Sequence, residues 1–419
     1  MTPVPADFDR WDNARRRDWQ LARIAGVVAH ARATSAFYRD TWGDAAAPAT
    51  WDDLRALPIV TKNMMIRHAG GQPQLEAARV GFSTRGTSGN PLVLWLDPAE
   101  TAAYVAPTLR GFIWAGLQPG DRALILSPSW HRLAAMEGHA VVGRGAQPCY
   151  FWGTLSDPAH AAPFVDALLD VRPAFVTSTP PFILNVLKYC ADRGIDPRAA
   201  FAPVRSVVLA GLALTPGLRR HLTDRLGAEV FERGGTQEGA ALDECGHHSG
   251  MHVHEDVCLI EVLDKQGNPV PDGAPGRLVI TKLVAAGSPF VRYDTGDTAA
   301  FVPGTCACGS CLPRLRILAR PESTMMIEGR PVTGYAVRAI LDEDPGLVGR
   351  VSLLVRDTEA KSRLRILIEG APGGDDPEGV LRRAFGLSDV QIDWMGGAGL
   401  AWGFRQVIDA RELSQRRAT

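Results

Sequence analysis

This sequence has almost no net charge and few lysines. Acidic and basic side chains nearly cancel across its 419 residues, leaving a formal net charge of −1, and five of the 45 basic residues are lysines. A surface that binds a nucleic-acid backbone needs clustered cations. The balance therefore argues against nucleic acid as a partner, and the run Arg15-Arg16-Arg17 is more typical of a solvated helix face.

Long hydrophobic runs are also absent. No apolar stretch approaches the ~20 residues that cross a bilayer, so no membrane partner is expected. No apolar run follows the basic residues near the N-terminus, as it would in a secretory signal. Cysteine is limited to seven residues, most of them between 245 and 311, which is not typical of a disulfide framework in a long chain. We therefore expect a cytoplasmic location.

The remaining composition is that of a globular protein, with 46% hydrophobic and 22% charged residues, and the length favours two or three domains. Apolar spacing predicts helices over 9–42, and a Gly/Ser/Thr cluster between apolar runs predicts a hairpin with a loop over 79–96. Between 100 and 230, strand-like runs alternate with helical stretches, which favours a mostly parallel sheet covered by helices. The predicted strands are Ala123–Leu126, Phe175–Thr177 and Val207–Leu209, and the predicted helices are 162–171, 181–193 and 216–226.

The segment from about 250 to 319 is richer in strand signals. The runs VCLIEVLD, GRLVITKL and AAFVP are separated by turn residues, which predicts an antiparallel β-rich subdomain. After Arg320 the pattern starts again, with strand runs at 351–357, 362–370 and 390–395 and a helix at 378–386. The predicted fold class is therefore α/β, with a large N-terminal domain of helix-covered sheets (1–319) and a small α+β C-terminal domain (320–419).

The loop Ser83–Pro91, with the sequence STRGTSGNP, is the first candidate for chemistry. Its glycines at 86 and 89 let the backbone approach a ligand closely, and its amide and hydroxyl groups can form a concave anion site. It is not a Walker A loop, because no lysine follows the second glycine. A simple hairpin turn explains the local sequence equally well.

Two further segments carry carboxylates beside glycines. In FVRYDTGD (290–297) a carboxylate after a strand could hold sugar hydroxyls, although Asp294 and Asp297 are also common turn formers. In GGTQE (234–238) Glu238 could bind Mg²⁺, which takes oxygen ligands and few protein carboxylates. The simpler alternative for Glu238 is a glutamate at the start of a helix, where the helix dipole favours it.

In their order along the chain, these segments resemble the motif series of the adenylate-forming (acyl-CoA synthetase-like) superfamily, and most closely its phenylacetate–CoA ligase group. Nearly the whole chain takes part in the resemblance. The matching segments are TSAFYRD to TKNMM (34–65), TRGTSGNP (84–91), LAGLALTPGLR (209–219), GGTQE (234–238), FVRYDTGD (290–297) and ILARPESTMMIEGRPV (317–332).

The resemblance implies an AMP-forming ligase with a mobile C-terminal domain. With ATP and Mg²⁺ it would activate a carboxylic acid as its acyl-adenylate and release pyrophosphate. A thiol, that of coenzyme A or of a carrier protein, would then displace AMP. Chemistry of this kind rests on positioning and on charge neutralisation at phosphorus. The oligomeric state stays open, with a homodimer among the states that the resemblance allows.

Site residues follow from the same resemblance, by position. Catalytic roles fall to Thr87 in the phosphate loop, to Glu238 as the Mg²⁺ ligand and to Arg405. Nucleotide contacts fall to Thr84, Gly86, Thr87, Ser88, Gly89, Gly235, Thr236, Asp297 and Arg320. The acid is expected beside Trp130, His131, Phe151, Trp152, Gly211 and Ala213. An aromatic-lined pocket suits an aryl or arylalkyl acid, and the alternative is that several of these aromatic residues only fill the core.

Cysteines and histidines also form a pattern. Four thiolate and imidazole ligands suit a closed tetrahedral Zn²⁺ site. Cys245, His252, Cys306 and Cys308 match a spacing found in some phenylacetate–CoA ligase-like proteins, which implies a structural zinc, and Cys311 is a substitute ligand. Reduced cysteines that serve only in packing are the alternative.

Four positions depart from the family pattern. Phe404 stands where the C-terminal motif has its lysine, and the neighbouring Arg405 is not equivalent to lysine in a tight site. Gly234, Gln237 and Leu212 replace an aromatic residue, a serine or threonine, and a glutamate. Three interpretations stay open: adenylation with a rearranged C-terminal contribution, a related ATP-dependent ligation to an amine or other nitrogen nucleophile, and a catalytically degenerate nucleotide-binding homologue.

Overall fold

The computed structural model describes residues 5, 7–68, 80–83, 92–127, 132–154, 156–320, 323–356, 362–396 and 406–410, with 80–83, 127, 132 and 133 described by their backbone. Several predicted functional residues lie outside the described residues, and for them the sequence-based expectations stand as they are. They are Thr84, Gly86, Thr87, Ser88, Gly89, Trp130, His131, Phe404 and Arg405.

Helices begin where polar side chains can accept the first free amides. The Asp12 carboxylate accepts the Arg15 amide at 2.8 Å, and the Thr215 hydroxyl accepts the Leu218 amide at 3.1 Å. In the described residues no helix combines the length and the apolarity that crossing a membrane requires. The α-helices are α1 Asn13–Thr34, α2 Ala36–Trp42, α3 Trp51–Ala56, α4 Lys62–Arg67, α5 Pro98–Ala103, α6 Val105–Trp114, α7 Arg132–Gly143, α8 Ala161–Val171, α9 Pro180–Arg193, α10 Pro197–Ala200, α11 Pro216–Leu226, α12 Gly334–Leu341 and α13 Pro377–Phe385.

Between residues 100 and 230, three strands occupy the predicted apolar runs and extend them by one residue at one or both ends. The strands are β1 Val60–Thr61, β2 Val80–Ser83, β3 Val93–Leu96, β4 Arg122–Ser127, β5 Gln147–Trp152, β6 Phe175–Ser178, β7 Ser206–Ala210, β8 Glu229–Gly235, β9 Ala241–Glu244, β10 Met251–Val253, β11 Cys258–Leu263, β12 Gly276–Lys282, β13 Tyr293–Val302, β14 Arg314–Ala319, β15 Thr324–Ile327, β16 Arg330–Thr333, β17 Ser352–Arg356, β18 Arg363–Glu369, β19 Asp389–Met395 and β20 Val407–Asp409.

The chain divides into two compact units that are each assembled from separate segments. Unit 1 consists of Met1–Gly120, Trp130–Gln147 and Arg233–Leu318, and unit 2 consists of Asp121–Ser129, Pro148–Glu232 and Ala319–Thr419. The predicted division into domains 1–319 and 320–419 stays a prediction.

Unit 1 is built on an antiparallel sheet, in the order β8-β9-β10-β14-β13-β12-β11, with β1 parallel to β13. Strands β8 to β10 and β11 to β13 pair antiparallel with their neighbours in the chain, and β2 and β3 form the predicted hairpin. Helices α1 and α2 pack on this sheet through buried residues that include Ile24, Tyr38 and Leu278. The predicted antiparallel β-rich segment is confirmed.

Unit 2 contains the parallel strands. The order is β8-β7-β6-β4-β5, and β6 runs parallel to both β4 and β7. Helices α8, α9 and α11 cover the strands with buried residues such as Phe164, Ile183 and Leu218. The prediction of a mostly parallel sheet covered by helices is confirmed for these strands.

The C-terminal part of unit 2 has a four-stranded sheet, in the order β19-β18-β17-β20. Helices α12 and α13 pack on it around residues such as Leu354 and Leu381. Its other side adds Val355 and Leu367 to the same buried cluster that α9 and α11 form on the parallel sheet. This shared apolar core is the physical reason why residues 319–419 group with 148–232.

Candidate functional site

The predicted magnesium ligand lies in a tight turn of unit 1. Gly235 ends β8, and the turn closes because the Thr236 amide donates to the Ala240 carbonyl at 3.2 Å while the Thr236 hydroxyl accepts the Ala240 amide at 3.3 Å. Glu238 is half-buried in this turn, which leads directly into β9. No helix begins here in the described residues, so the alternative of a helix-start glutamate is wrong.

Gly239, the next residue, needs to be glycine. Its φ is +133°, and a Cβ there would lie 2.9 Å from Lys282 Cγ and 3.0 Å from the Tyr104 hydroxyl oxygen. The Tyr104 hydroxyl also donates to the Gly239 carbonyl at 2.7 Å. The turn that carries Glu238 is therefore held against α5, α6 and β12 by close packing.

The second carboxylate segment differs from its prediction. Asp294 and Asp297 do not follow a strand but lie on β13 itself, because pairing with β12 continues through an irregular register next to Gly296, whose φ is +80°. The Asp294 carboxylate accepts from Arg277 Nη1 at 3.0 Å and from the Gly296 amide at 2.9 Å. Asp297 is buried on the same strand.

Tyr293, directly before Asp294 on β13, is a buried phenol. Burial raises its pKa, and the carboxylates of Glu238, Asp294 and Asp297 raise it further. The charge of Glu238 therefore influences the same phenol as the two aspartates of β13. The sequence analysis did not single out Tyr293, which stands inside the FVRYDTGD motif.

A buried ion pair lies beside the turn that carries Glu238. Lys282 Nζ donates to the Glu100 carboxylate at 3.0 Å and to the Ala286 carbonyl at 2.9 Å, and both charged side chains are 2% exposed. Sequence reasoning missed the pair. One signal was present, since a lysine that follows the apolar run LVIT is unusual in a chain with five lysines.

Replacing Lys282 with methionine should lower the free energy of unfolding by about 3–5 kcal/mol, because it leaves the Glu100 carboxylate buried without its cation. Urea unfolding monitored by tryptophan fluorescence measures the loss. The double variant Lys282→Met/Glu100→Met is the control, since an apolar pair of similar volume removes the stranded charge. It should recover more than half of the loss. Equal losses in the single and double variants would contradict this account.

The predicted metal ligands form a cluster in unit 1. One ligand atom from each of Cys245, His252, Cys306 and Cys308 lies within 4.8 Å of all the others. The Cys245 and Cys306 sulfurs are 3.6 Å apart, and the Cys308 sulfur is 3.4 Å from His252 Nε2. Cys245 directly follows β9, His252 lies on β10, and the two other cysteines lie in the loop after β13. Cys311 is exposed and is not one of the four.

The imidazole of His252 is oriented for coordination. Its Nδ1 lies 3.1 Å from the Leu312 carbonyl oxygen, which can only accept, so Nδ1 carries the proton and Nε2 presents a lone pair to the sulfurs. Burial lowers the pKa of His252 to about 4 and raises the pKa of Cys245 to about 12. The histidine is therefore neutral near pH 7, the form that binds a metal.

Charged side chains also form a network of contacts among β8, β9 and α6 in unit 1. Arg233, directly before Gly234 on β8, lies 3.5 Å from the Asp243 carboxylate on β9. Asp243 accepts from His254 Nε2 at 2.8 Å, and Arg110 lies 3.1 Å from His254 Nδ1. Because each charge has a partner, the network can hold β8 and β9 in one register.

The residues of unit 2 that are predicted to contact the substrate acid occupy different environments. Trp152 lies on β5, is 60% exposed and stacks on Tyr150 with ring centroids 6.1 Å apart. Phe151 instead packs edge-on against Phe164 in the core, with centroids 5.2 Å apart, so for Phe151 the core alternative applies. Gly211, with φ +93°, is exposed in the loop after β7.

Three further positions from the sequence analysis have defined local contacts: Ala213, Arg320 and Gly234. The Ala213 carbonyl accepts from Arg338 Nη2 at 2.9 Å. Arg320 is exposed in unit 2, and its backbone carbonyl accepts from the Ser323 hydroxyl at 3.0 Å. A Cβ on Gly234 would lie 2.7 Å from the Met251 sulfur, which explains why the aromatic residue of the family pattern has no room at this position.

Comparison with known proteins agrees with the motif order. The family of AMP-binding enzymes matches residues 86–286. A phenylacetate–coenzyme A ligase of Thermus thermophilus is 26% identical over 354 residues, which cover 81% of this chain and 78% of that protein.

Solved structures agree in fold. A 2-hydroxyisobutyryl-CoA ligase in the postadenylation state, in complex with 2-HIB-AMP, has a TM-score of 0.85 at 21% identity and covers 99% of this chain and 94% of its own. The amide bond synthetase McbA of Marinactinospora thermotolerans has a TM-score of 0.57 at 16% identity, with 96% and 94% covered. The resemblance of this chain to the adenylate-forming superfamily, and within it to the phenylacetate–CoA ligase group, is confirmed.

Proposed function

We propose that this protein is an AMP-forming ligase that activates a carboxylic acid with ATP and Mg²⁺ and then transfers the acyl group to a thiol such as coenzyme A. In the first step an oxygen of the acid attacks the α-phosphorus and pyrophosphate leaves. In the second step the thiol attacks the acyl carbon, AMP leaves and the thiol proton is lost. The match of residues 86–286, which include the turn of Glu238, to the family of AMP-binding enzymes is the observation that carries the proposal.

The site residues keep the roles that the resemblance implies, and for Glu238 and Asp297 the structure gives a setting consistent with that role. Glu238 is half-buried in a closed turn, where a carboxylate can bind Mg²⁺ beside substrate phosphates. Asp297 can accept hydrogen bonds from ribose hydroxyls, and Thr236 and Gly235 shape the backbone beside the nucleotide. Arg320 would contact the ribose, and Thr87 and the other loop residues would hold the phosphates. Arg405 would supply positive charge during adenylation in place of the family's lysine.

An aromatic acid is the proposed substrate class. Support comes from the aromatic residues near the predicted pocket and from the phenylacetate–CoA ligase that this chain resembles in sequence. The exposed Trp152 offers an aromatic face, whereas Phe151 belongs to the core.

A nitrogen acceptor is the second candidate function. The departure at Phe404 from the family's lysine and the fold shared with an amide bond synthetase both favour it. In this case an amine would attack the acyl-adenylate and displace AMP, so the first half-reaction would be the same.

We further propose a structural Zn²⁺ at Cys245, His252, Cys306 and Cys308. Two features support it: the four ligand atoms converge, and the Leu312 carbonyl fixes the tautomer of His252. Such an ion would supply no chemistry to the reaction and would join the end of β9 to the loop after β13.

ATP–pyrophosphate exchange across a panel of aromatic and aliphatic acids tests the proposal. We expect exchange with at least one aromatic acid, and AMP formation that rises when coenzyme A is added. AMP formation that rises only with amines would select the second candidate. No exchange with any acid, in protein that binds AMP, would reject both and leave the degenerate nucleotide-binding homologue.

A further inference from the structure

Three consecutive residues at the end of the loop after β7, Ala213 to Thr215, each form a hydrogen bond with a charged side chain of unit 2. The Ala213 carbonyl accepts from Arg338 at 2.9 Å. The Leu214 amide donates to the Glu232 carboxylate at 3.3 Å, and the Thr215 hydroxyl donates to the Asp342 carboxylate at 2.6 Å.

Two of these charges come from the C-terminal part of the chain. Arg338 lies on α12, and Asp342 follows it by one helical turn, so both point to the same side. Arg338 is 3% and Asp342 is 6% exposed. Asp342 also accepts the Gly349 amide at 3.3 Å. Burial lowers the pKa of Arg338 and raises that of Asp342, while each charge partly offsets the effect on the other.

The approach of the two segments is close enough to require glycine. A Cβ on Gly217, in the first turn of α11, would lie 2.1 Å from the Asp342 carbonyl oxygen. Thr215 therefore caps α11 and contacts Asp342 in the same place. The loop has no freedom to shift without breaking one of these contacts.

A purely structural role explains these charges poorly. Buried charged side chains often contribute no more to stability than apolar side chains of the same volume, and their best-attested use is to fix one geometry among several. The geometry fixed here is the backbone of 213–215, which the proposed function places beside the acid.

We propose that Arg338 is a positioning residue for acid binding: from α12, and together with Asp342, it fixes the loop Ala213–Thr215 and so sets the shape of the acid pocket. The inference rests on the proposed function, because only that function places this loop beside the acid. Arg338 acts through the loop and does not touch the substrate.

The test compares Arg338→Met with Arg338→Lys, Asp342→Asn and a matched surface control. The control is Arg220→Met, which removes an exposed ion pair between Arg220 of α11 and Glu343, next to Asp342. In acid-dependent pyrophosphate exchange, Arg338→Met should raise the KM for the acid about tenfold and change the KM for ATP less than twofold. Arg338→Lys should recover part of the acid affinity, and Arg220→Met should change neither KM more than twofold.

Hydrogen–deuterium exchange of peptides covering 209–218 provides the second measurement. Arg338→Met should speed exchange of the Leu214 amide, and Arg220→Met should not. Asp342→Asn, which keeps the size of the side chain, should speed it too and replaces Arg338→Met if that variant does not fold.

The outcomes separate the two claims. Equal KM increases for acid and ATP, or unchanged exchange at Leu214, would overturn the positioning role while leaving the proposed function intact. Absence of pyrophosphate exchange in the unaltered protein would instead reject the proposed function and, with it, the role in acid binding. The amide exchange would still decide whether Arg338 fixes the loop.

Discussion

Replacing Glu238 with glutamine should reduce acid-dependent ATP–pyrophosphate exchange by roughly 10²–10³-fold, the loss typical of removing one group that stabilises charge in a preorganised site. Glutamine keeps the size of the side chain, and the backbone contacts of Thr236 that close the turn do not involve the carboxylate. The change therefore removes the charge that would bind Mg²⁺ and leaves these backbone contacts in place. The rate should be measured over a range of Mg²⁺ concentrations, and the half-saturating concentration should rise.

Glu229→Gln is the matched control for this experiment. Glu229 is exposed at the other end of β8, so the same substitution there should leave both the rate and the Mg²⁺ dependence within twofold. An unchanged Mg²⁺ dependence in Glu238→Gln would show that another residue binds the ion. A rate near that of the unaltered protein would remove Glu238 from the site altogether.

The parallel strands and their helices could be predicted because their signal is local. A strand buried on both faces is a continuous apolar run, and Ala123–Leu126 or Val207–Leu209 needs no knowledge of distant residues. Their ends differ from β4 and β7 by one residue, since the last pairings depend on the neighbouring strand.

Strand β13 shows where local signals mislead. Aspartate and glycine are typical turn residues, so the segment around Asp294 and Gly296 was expected to lie after a strand. In the structure β12 pairs on both sides of an irregularity there, and tertiary pairing outweighs local preference.

Contacts between residues far apart in the sequence could not be predicted. Lys282 and Glu100 are 182 residues apart, and Arg338 and Ala213 are 125 apart. Even for Lys282, whose place after an apolar run is unusual, the sequence does not name the partner, and only the fold decides that the two members of a pair meet. The order of the motifs identifies the candidate site residues, whose roles stay predictions, and the side chains that pack beside them follow only from the tertiary structure.

Replacing Cys306 with serine should remove zinc from the purified protein, and the free energy of unfolding should fall by more than about 4 kcal/mol, in the range of losses that follow removal of a metal site. The Cys306 sulfur lies 3.6 Å from the Cys245 sulfur and 3.8 Å from the Ser249 hydroxyl oxygen. The substitution therefore removes one metal ligand and alters both of these contacts. Metal analysis and urea unfolding measure the two effects.

Nucleotide affinity should fall in the same variant. Strand β9 runs from the turn of Glu238 to Cys245, and β13 carries Asp297 and leads to Cys306. A metal that joins the far ends of both strands restrains the near ends, where the proposed nucleotide contacts lie. Calorimetric titration with AMP, at a temperature where the variant remains folded, should show weaker binding.

Cys311→Ser is the control for a nearby cysteine that is not a ligand. Cys311 is three residues from Cys308 in the sequence but is exposed and outside the cluster. This variant should keep about one equivalent of zinc, its stability and its AMP affinity. Loss of zinc from Cys311→Ser would instead make Cys311 a ligand. Less than about half an equivalent of zinc in the unaltered protein would leave the four side chains as a packed, reduced cluster, and then Cys306→Ser should cost no more than an ordinary buried substitution, about 1 kcal/mol.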